Sequence, residues 1–298
     1  MKDRGFVQGV NFSGSRIGAA IALPMIAVMV DSIGWRASFI TLMLIGFAWA
    51  VFWYWWFRDD PTEHASISDE EREMILANRQ QVSTFDSEEK PKRLSIGRLL
   101  SSKNVSLLCV QYFASNFTFF FALSWMFPLI KSKYELTAQT AGMWTALPFI
   151  GGAFGCWTAG LLIDRLYKLD KWVLSRRAPA IAGFILATGG MLGMAFAPET
   201  ASLPLTIGLL TIAIFGADMT LPPSWSSCID IGKKNAGVVS GTMNMAGNIG
   251  SASMAIAYPY LKGWTNGTAT FFFVAASLNA LAVVLWFMIK PDKNLEDY

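Results

Sequence analysis

The sequence is poor in the residues that most soluble chemistry requires. It has one histidine, His64, and three cysteines, Cys109, Cys156 and Cys228, spread far apart with no CxxC pair. That excludes a clustered metal site and a disulfide scaffold, and leaves no base for a nucleophilic Ser or Cys in the apolar segments. Charge is scarce as well. Asp, Glu, Lys and Arg make up 15% of the chain, and a net charge of +3 is too small to point to nucleic acid. No leader of the charged-then-short-apolar kind opens the chain, because the first hydrophobic stretch is long and holds Arg16. What is abundant is apolar surface: 53% of the 298 residues are hydrophobic and the mean hydropathy is +0.41. The solvent such a chain expects is a lipid bilayer.

Apolar runs long enough to cross about 30 Å of hydrocarbon as helix occur at approximately 6–30, 36–57, 105–130, 139–163, 179–198, 203–223, 237–260 and 268–289. They must be helices, since hydrocarbon offers backbone groups no partner and the pattern lacks the short alternation of barrel strands. An all-α membrane protein with about eight transmembrane helices is expected. Nineteen Lys and Arg fall on one side of the membrane, in the termini and alternate loops, against Arg36, Lys131, Lys133 and Lys262 on the other. The positive-inside rule then puts both termini in the cytoplasm. The polar stretch 58–104 reads as a cytoplasmic central loop in which Ser68-Asp69-Glu70-Glu71 forms a capping box and Asp86 to Arg98 is a charged linker.

Sliding the chain by 232 residues lays the first two runs over the last two. Gly5/Gly237, Gly9/Gly241, Ile17/Ile249, Gly18/Gly250, Ala37/Ala269 and Phe39/Phe271 coincide. Both copies start on the same side, so the repeat is parallel, as between the two halves of a major facilitator carrier. The later copy is preceded by about 128 more residues of membrane domain than the earlier one, room for four spans. The expected domains are 1–57 as the last two helices of an N-terminal bundle, 58–104 as the loop and 105–298 as a C-terminal six-helix bundle.

Specific motifs lie along this frame. They are Arg4-Gly5 with Asn11-Phe12-Ser13-Gly14-Ser15-Arg16-Ile17-Gly18-Ala19-Ala20 and Pro24, then Gly34-Trp35-Arg36, then Arg58-Asp59-Asp60-Pro61 with Glu63-His64. Further on come Asn116 with Trp125 and Pro128, Gly160 to Arg165, Trp225 with Asp230, and Gly241-Thr242-Met243-Asn244-Met245-Ala246-Gly247-Asn248. In this order they resemble the sugar-acid branch of the anion:cation symporter family within the major facilitator superfamily, from its fifth span onward, so the chain looks truncated at the N-terminus. The resemblance implies a major facilitator fold lacking the first four helices. It also implies proton-coupled uptake of a hydroxylated organic anion such as a hexuronate, aldonate or aldarate, with an aromatic carboxylate such as phthalate as the alternative cargo.

Several residues are candidates for that task. Arg16 lies deep in its span, where a guanidinium is costly unless it faces a polar cavity or a counter-charge, and it can present a forked donor to a substrate carboxylate beside Asn11 and Ser15. The competing reading is an arginine paired with a carboxylate and serving only assembly. Gln111, Tyr112, Ser115 and Asn116 form a polar stripe suited to polyol hydroxyls or to neighbouring helices, and Asn244 and Asn248 make a similar pair. Asp218, read as an isolated carboxylate in low dielectric near Pro222 and Pro223, is a candidate proton carrier. Asp230, with Lys233 and Lys234 close in sequence, suits a solvated pair or a gate. Asp164 is expected to cap a neighbouring helix N-terminus while Arg165 pairs across the cytoplasmic gate. Glycine pairs at spacing four, Gly14/Gly18, Gly151/Gly155, Gly189/Gly193 and Gly237/Gly241, are expected to bring helices close. No catalytic residue, metal or cofactor is expected. The expected partners are a small organic anion, protons or sodium and the lipid bilayer, with no nucleic acid. A monomer in the cell inner membrane is expected for the complete form, and a non-transporting fragment or sensor is the rival to a carrier.

Overall fold

The computed structural model describes residues 4–64, 66–78, 96–293 and 295, and among them every regular element is helical. In chain order these are α1 (Arg4–Trp56), α2 (Asp69–Asn78), α3 (Ile96–Ser101), α4 (Lys103–Phe121), α5 (Phe127–Lys133), α6 (Ala138–Lys168), α7 (Trp172–Phe196), α8 (Leu203–Met219), α9 (Leu221–Gly232), α10 (Ala236–Thr265) and α11 (Ala269–Met288). Six helical stretches are long and apolar enough to cross a membrane. Two of them, Gly5–Trp56 with 52 residues and Leu203–Thr265 with 63, are each more than twice the roughly 20 residues one crossing takes. The eight apolar runs thus coincide with helix.

The breaks inside those long stretches follow from local chemistry. In α1 the helical pattern is interrupted at Gly34, whose φ of 76° and ψ of 161° suit a residue without a Cβ. Between α8 and α9 the chain turns at Thr220, and Pro222 and Pro223 sit in the first turn of α9, where a missing N–H costs least. A π-helical turn, Ala122–Met126, joins α4 to α5 just before Pro128.

By contacts the chain divides into two compact units, Met1–Ala27 with Leu94–Tyr298, and Val28–Arg93. In the second unit Asp60 caps the 3-10 turn Pro61–Glu63 by accepting from the Thr62 amide, and the Ser68 hydroxyl accepts from the Glu71 amide at 3.2 Å. The Ser68 half of the expected capping box is therefore present. Of the expected charged linker, residues 86–95 lie outside the described residues.

The first unit packs α4 to α11 and the start of α1 around two apolar clusters. One is built on Phe121, Phe149, Phe271 and Phe272, the other on Leu108, Tyr112, Phe184 and Trp286. Close helix approach uses only some of the glycines expected to bring helices together. Gly14, Gly18, Gly189, Gly237 and Gly241 have no atom of another element within 4 Å of a Cβ position, while Gly5 and Gly9 meet α6 and Gly160 meets Gly5. Spacing alone does not say which helix face has a neighbour. Gly151, Gly155 and Gly193 do pack against α8, as expected.

Candidate functional site

The site begins where α1 lies against α6. A Cβ on Gly9 would stand 2.6 Å from the Cys156 carbonyl oxygen and one on Gly160 2.6 Å from that of Gly5, so these backbones touch only because both helices carry glycine there. At the start of α1, Asp164 Oδ1 accepts from the Gly5 amide and Oδ2 from the Phe6 amide, each at 2.9 Å. A carboxylate there satisfies two otherwise orphaned N–H groups and meets the positive end of the helix dipole. Asp164 caps a neighbouring helix, as the sequence led us to expect. Arg165 departs from expectation: among the described residues it has no ion-pair partner. With Asp164, Lys168, Phe6, Leu161 and Leu169 it lines an open cavity of about 680 Å³.

Two turns further along α1, the Trp157 indole N–H donates to Ser13 Oγ at 2.7 Å, and the Ser13 hydroxyl in turn donates to the Val10 carbonyl oxygen. One turn on stands Arg16. Its Nε donates to Asp218 Oδ2 at 2.9 Å and a terminal nitrogen to Oδ1 at 2.6 Å, a two-point fork. The other terminal nitrogen donates to Ser15 Oγ at 3.1 Å, and the guanidinium carbon lies 3.6 Å from the Phe119 ring centroid. The side chains of Arg16 and Asp218 are 12% and 1% exposed.

Asp218 rises from α8 and reaches Arg16 past α6, where the helix offers a gap. The gap is Gly152, where a Cβ would overlap Asp218 Oδ2. Behind the carboxylate, the Cys156 thiol donates to the Asp218 carbonyl oxygen at 3.5 Å. The isolated carboxylate expected from the sequence is thus corrected to a paired one. Pro222 and Pro223 do not open its surroundings to water either, since both are buried. The reason is distance in sequence: the partner lies 202 residues away.

The polar stripe on α4 divides. Gln111 is fully buried and its side-chain oxygen accepts from Trp286 and Ser224, so it ties α4 to α9 and α11 and lines no pathway. Ser115 is likewise buried against Thr220. Tyr112 and Asn116 turn towards the α10 and α9 side: the Tyr112 hydroxyl accepts from the Trp225 indole at 3.1 Å, and Asn116 Nδ2 donates to the Tyr112 carbonyl oxygen. Phe12 of α1 lies 5.6 Å from the Trp225 ring, which puts Tyr112 and Trp225 beside the same stretch of α1 as Arg16. Asn11, Ser15, Asn244 and Asn248 are exposed, and Asn248 donates to the Asn244 carbonyl oxygen. Asp230 pairs with Arg176 of α7 at 2.7 Å, which corrects the expected partnership with Lys233 and Lys234 and makes it a tie between α7 and α9.

A family profile described as Major Facilitator Superfamily matches residues 1–255. The chain belongs to the major facilitator superfamily. Within it, the chain is similar to a probable sulfoacetate transporter of Cupriavidus necator, 26% identical over 97% of this chain and 65% of the relative. It is similar as well to the hexuronate transporter of Bacillus subtilis, 26% identical over 84% of this chain and 57% of the relative. The hexuronate transporter of Escherichia coli strain K12 is 27% identical over 99% of this chain and 67% of its own length. The chain therefore spans about three fifths of the length of such relatives. They are carriers of anions and not enzymes, in keeping with the anion:cation symporter resemblance carried by the motifs. The superfamily chain is a multi-pass membrane protein.

Sequence reasoning missed three features of this major facilitator site: the Gly152 gap, the Trp157 to Ser13 bond and Phe119 beneath the guanidinium. A signal existed for the ion pair that the first of these admits. Two opposite charges deep in separate apolar runs require either a partner or a cavity each, and one pair satisfies both.

Proposed function

We propose that this chain is part of a secondary active carrier that moves a hydroxylated organic anion, such as a hexuronate, aldonate or aldarate, together with protons across the inner membrane. Transport proceeds by alternating access between two six-helix bundles, with 1–57 belonging to the first, 58–104 linking them and 105–298 forming the second. The termini are cytoplasmic and the complete form is a monomer. The observation that carries this reading is the Arg16 fork: a guanidinium deep in an apolar helix, 12% exposed, beside exposed Asn11 and Ser15 and satisfied by an acidic group. A site built to hold one carboxylate can hold that of a cargo instead, because the two present the same two oxygens. Tyr112 and Asn116, together with exposed Asn244 and Asn248, supply donors and acceptors for cargo hydroxyls. The printed names of the hexuronate relatives support the cargo class.

Asp164 on the first turn of α1 and the glycine contacts below Arg16 close the cytoplasmic end of this α1 and α6 pair. Opening that end requires α1 to leave its carboxylate cap, so Asp164 acts as a latch. The test is uptake of labelled glucuronate, gluconate and phthalate into liposomes carrying the protein, under an inward proton gradient. Accumulation of a hydroxylated carboxylate supports the reading. Accumulation of phthalate alone moves the cargo to aromatic acids, and binding without flux makes the protein a sensor.

A further inference from the structure

The ion pair that satisfies Arg16 also fixes how charge must move. Four states of the buried pair can be compared. With no cargo, the guanidinium and the Asp218 carboxylate cancel, and two charge-assisted hydrogen bonds hold them together. If an anion takes the fork from Asp218 and nothing else happens, a carboxylate that is 1% exposed is left without its counter-charge and the site carries one net negative charge. If Asp218 binds a proton and no anion arrives, the guanidinium is left alone and the site carries one net positive charge. Both half-filled states place an unbalanced charge in low dielectric, which is the costly arrangement. Only the exchange of both together restores neutrality: the anion on Arg16 and the proton on Asp218.

We propose that Asp218 is the proton carrier of this site and that Arg16 exchanges it for the acid group of the cargo, one proton accompanying each acid group held on the fork. The assignment rests on the anion-carrier reading above and extends it to stoichiometry. The empty and the filled site are both neutral, so both can reorient, while the half-filled ones cannot. Coupling follows from that difference alone. A singly charged cargo then crosses without net charge, and a doubly charged one, whose second acid group stays off the buried pair beside exposed Asn11 and Ser15, leaves the pair neutral and carries one negative charge per cycle.

The surroundings agree. Arg16 arrives from α1, Cys156 faces the pair from α6 and Tyr112 from α4, and among the described residues no second carboxylate stands near enough to share the proton. Ser115 and Thr220 hydrogen-bond each other and the Ala217 carbonyl oxygen, one residue before Asp218, so the helix that bears the carboxylate is held in place from the α4 side.

The test uses the protein in liposomes with two labelled probes, glucuronate as a singly charged acid and sulfoacetate as a doubly charged one. An electrical potential is imposed by a potassium gradient with an ionophore. Glucuronate accumulation driven by an inward proton gradient is expected to ignore the potential, while sulfoacetate uptake is expected to rise severalfold when the interior is positive. Asp218→Asn leaves a permanent positive charge in the empty site. It is expected to abolish gradient-driven accumulation of glucuronate and to make whatever exchange remains independent of pH. Glucuronate uptake that follows the potential, or gradient-driven accumulation by the asparagine variant, overturns the assignment while leaving the anion carrier standing. If neither probe binds or crosses, the carrier reading falls and the assignment with it. Should Asp218→Asn not fold, the response of the unaltered protein to potential decides alone.

Discussion

The Gly152 gap gives a perturbation whose size can be worked from the structure. In Gly152→Ala the new methyl would overlap Asp218 Oδ2 and stand 3.1 Å from its Cγ and 3.2 Å from Ile214 Cγ2, so the carboxylate must withdraw from Arg16. Removing one partner from a buried pair costs about 3–5 kcal/mol. Here both charges survive and Arg16 keeps 12% exposure, by which water can relieve it, so the cost falls below that range, roughly 2–3 kcal/mol. At about 1.4 kcal/mol per decade this is roughly a 30- to 150-fold loss of the paired state. In a protein of this size it lowers the melting temperature by about 5–10 °C. The assay is the fraction of monodisperse protein left after heating in detergent, for Gly152→Ala, Asp218→Ala and the double variant. Because both substitutions act on one contact, the double variant is expected to melt close to Asp218→Ala alone. A Gly152→Ala protein that melts within a degree of the parent, or additive losses in the double variant, would refute the gap as the route by which the pair forms.

Three further perturbations report on the neighbouring contacts. Asp164→Asn keeps one acceptor for the Gly5 and Phe6 amides and loses the charge at the helix start, about 1 kcal/mol, and amide hydrogen exchange over 4–10 should quicken roughly fivefold. Unchanged exchange there would remove the latch. Trp157→Phe deletes the donor to Ser13, worth about 1 kcal/mol, and should lower the melting temperature by about 2–4 °C; no shift would mean the bond is idle. Gln111→Leu strips the Trp286 indole of its acceptor, while Ser224 keeps the Thr220 carbonyl oxygen, and should cost about 1–3 kcal/mol in stability while the KM for cargo stays put. A raised KM would return Gln111 to the pathway.

The helical bundle was legible because bilayer physics leaves a chain few choices: each apolar run had to become helix, and each did. The capping aspartate was legible too, since Gly160 to Arg165 resembles the superfamily's short cytoplasmic loop and a carboxylate there suits a neighbouring helix N-terminus. The Arg16 and Asp218 pair was not. Each residue announced that it needed a partner, but nothing local tells which of many buried groups, 202 positions apart, will meet. Gln111 shows the converse: its spacing with Tyr112 and Asn116 marks a polar stripe correctly, yet one helix turn separates a face that lines a pathway from one that stitches α4 to α9 and α11. Asp230 misled for the simplest reason, since Lys233 and Lys234 are near in sequence while Arg176 is near in space.

The central claim is that Arg16 holds the acid group of the cargo through its fork. Its most direct test is initial uptake of labelled glucuronate by Arg16→Lys beside the parent, in liposomes holding equal amounts of folded protein. Lysine keeps the charge and loses the two-point geometry, so uptake is expected to fall at least about tenfold. Uptake at the parental rate would contradict the account.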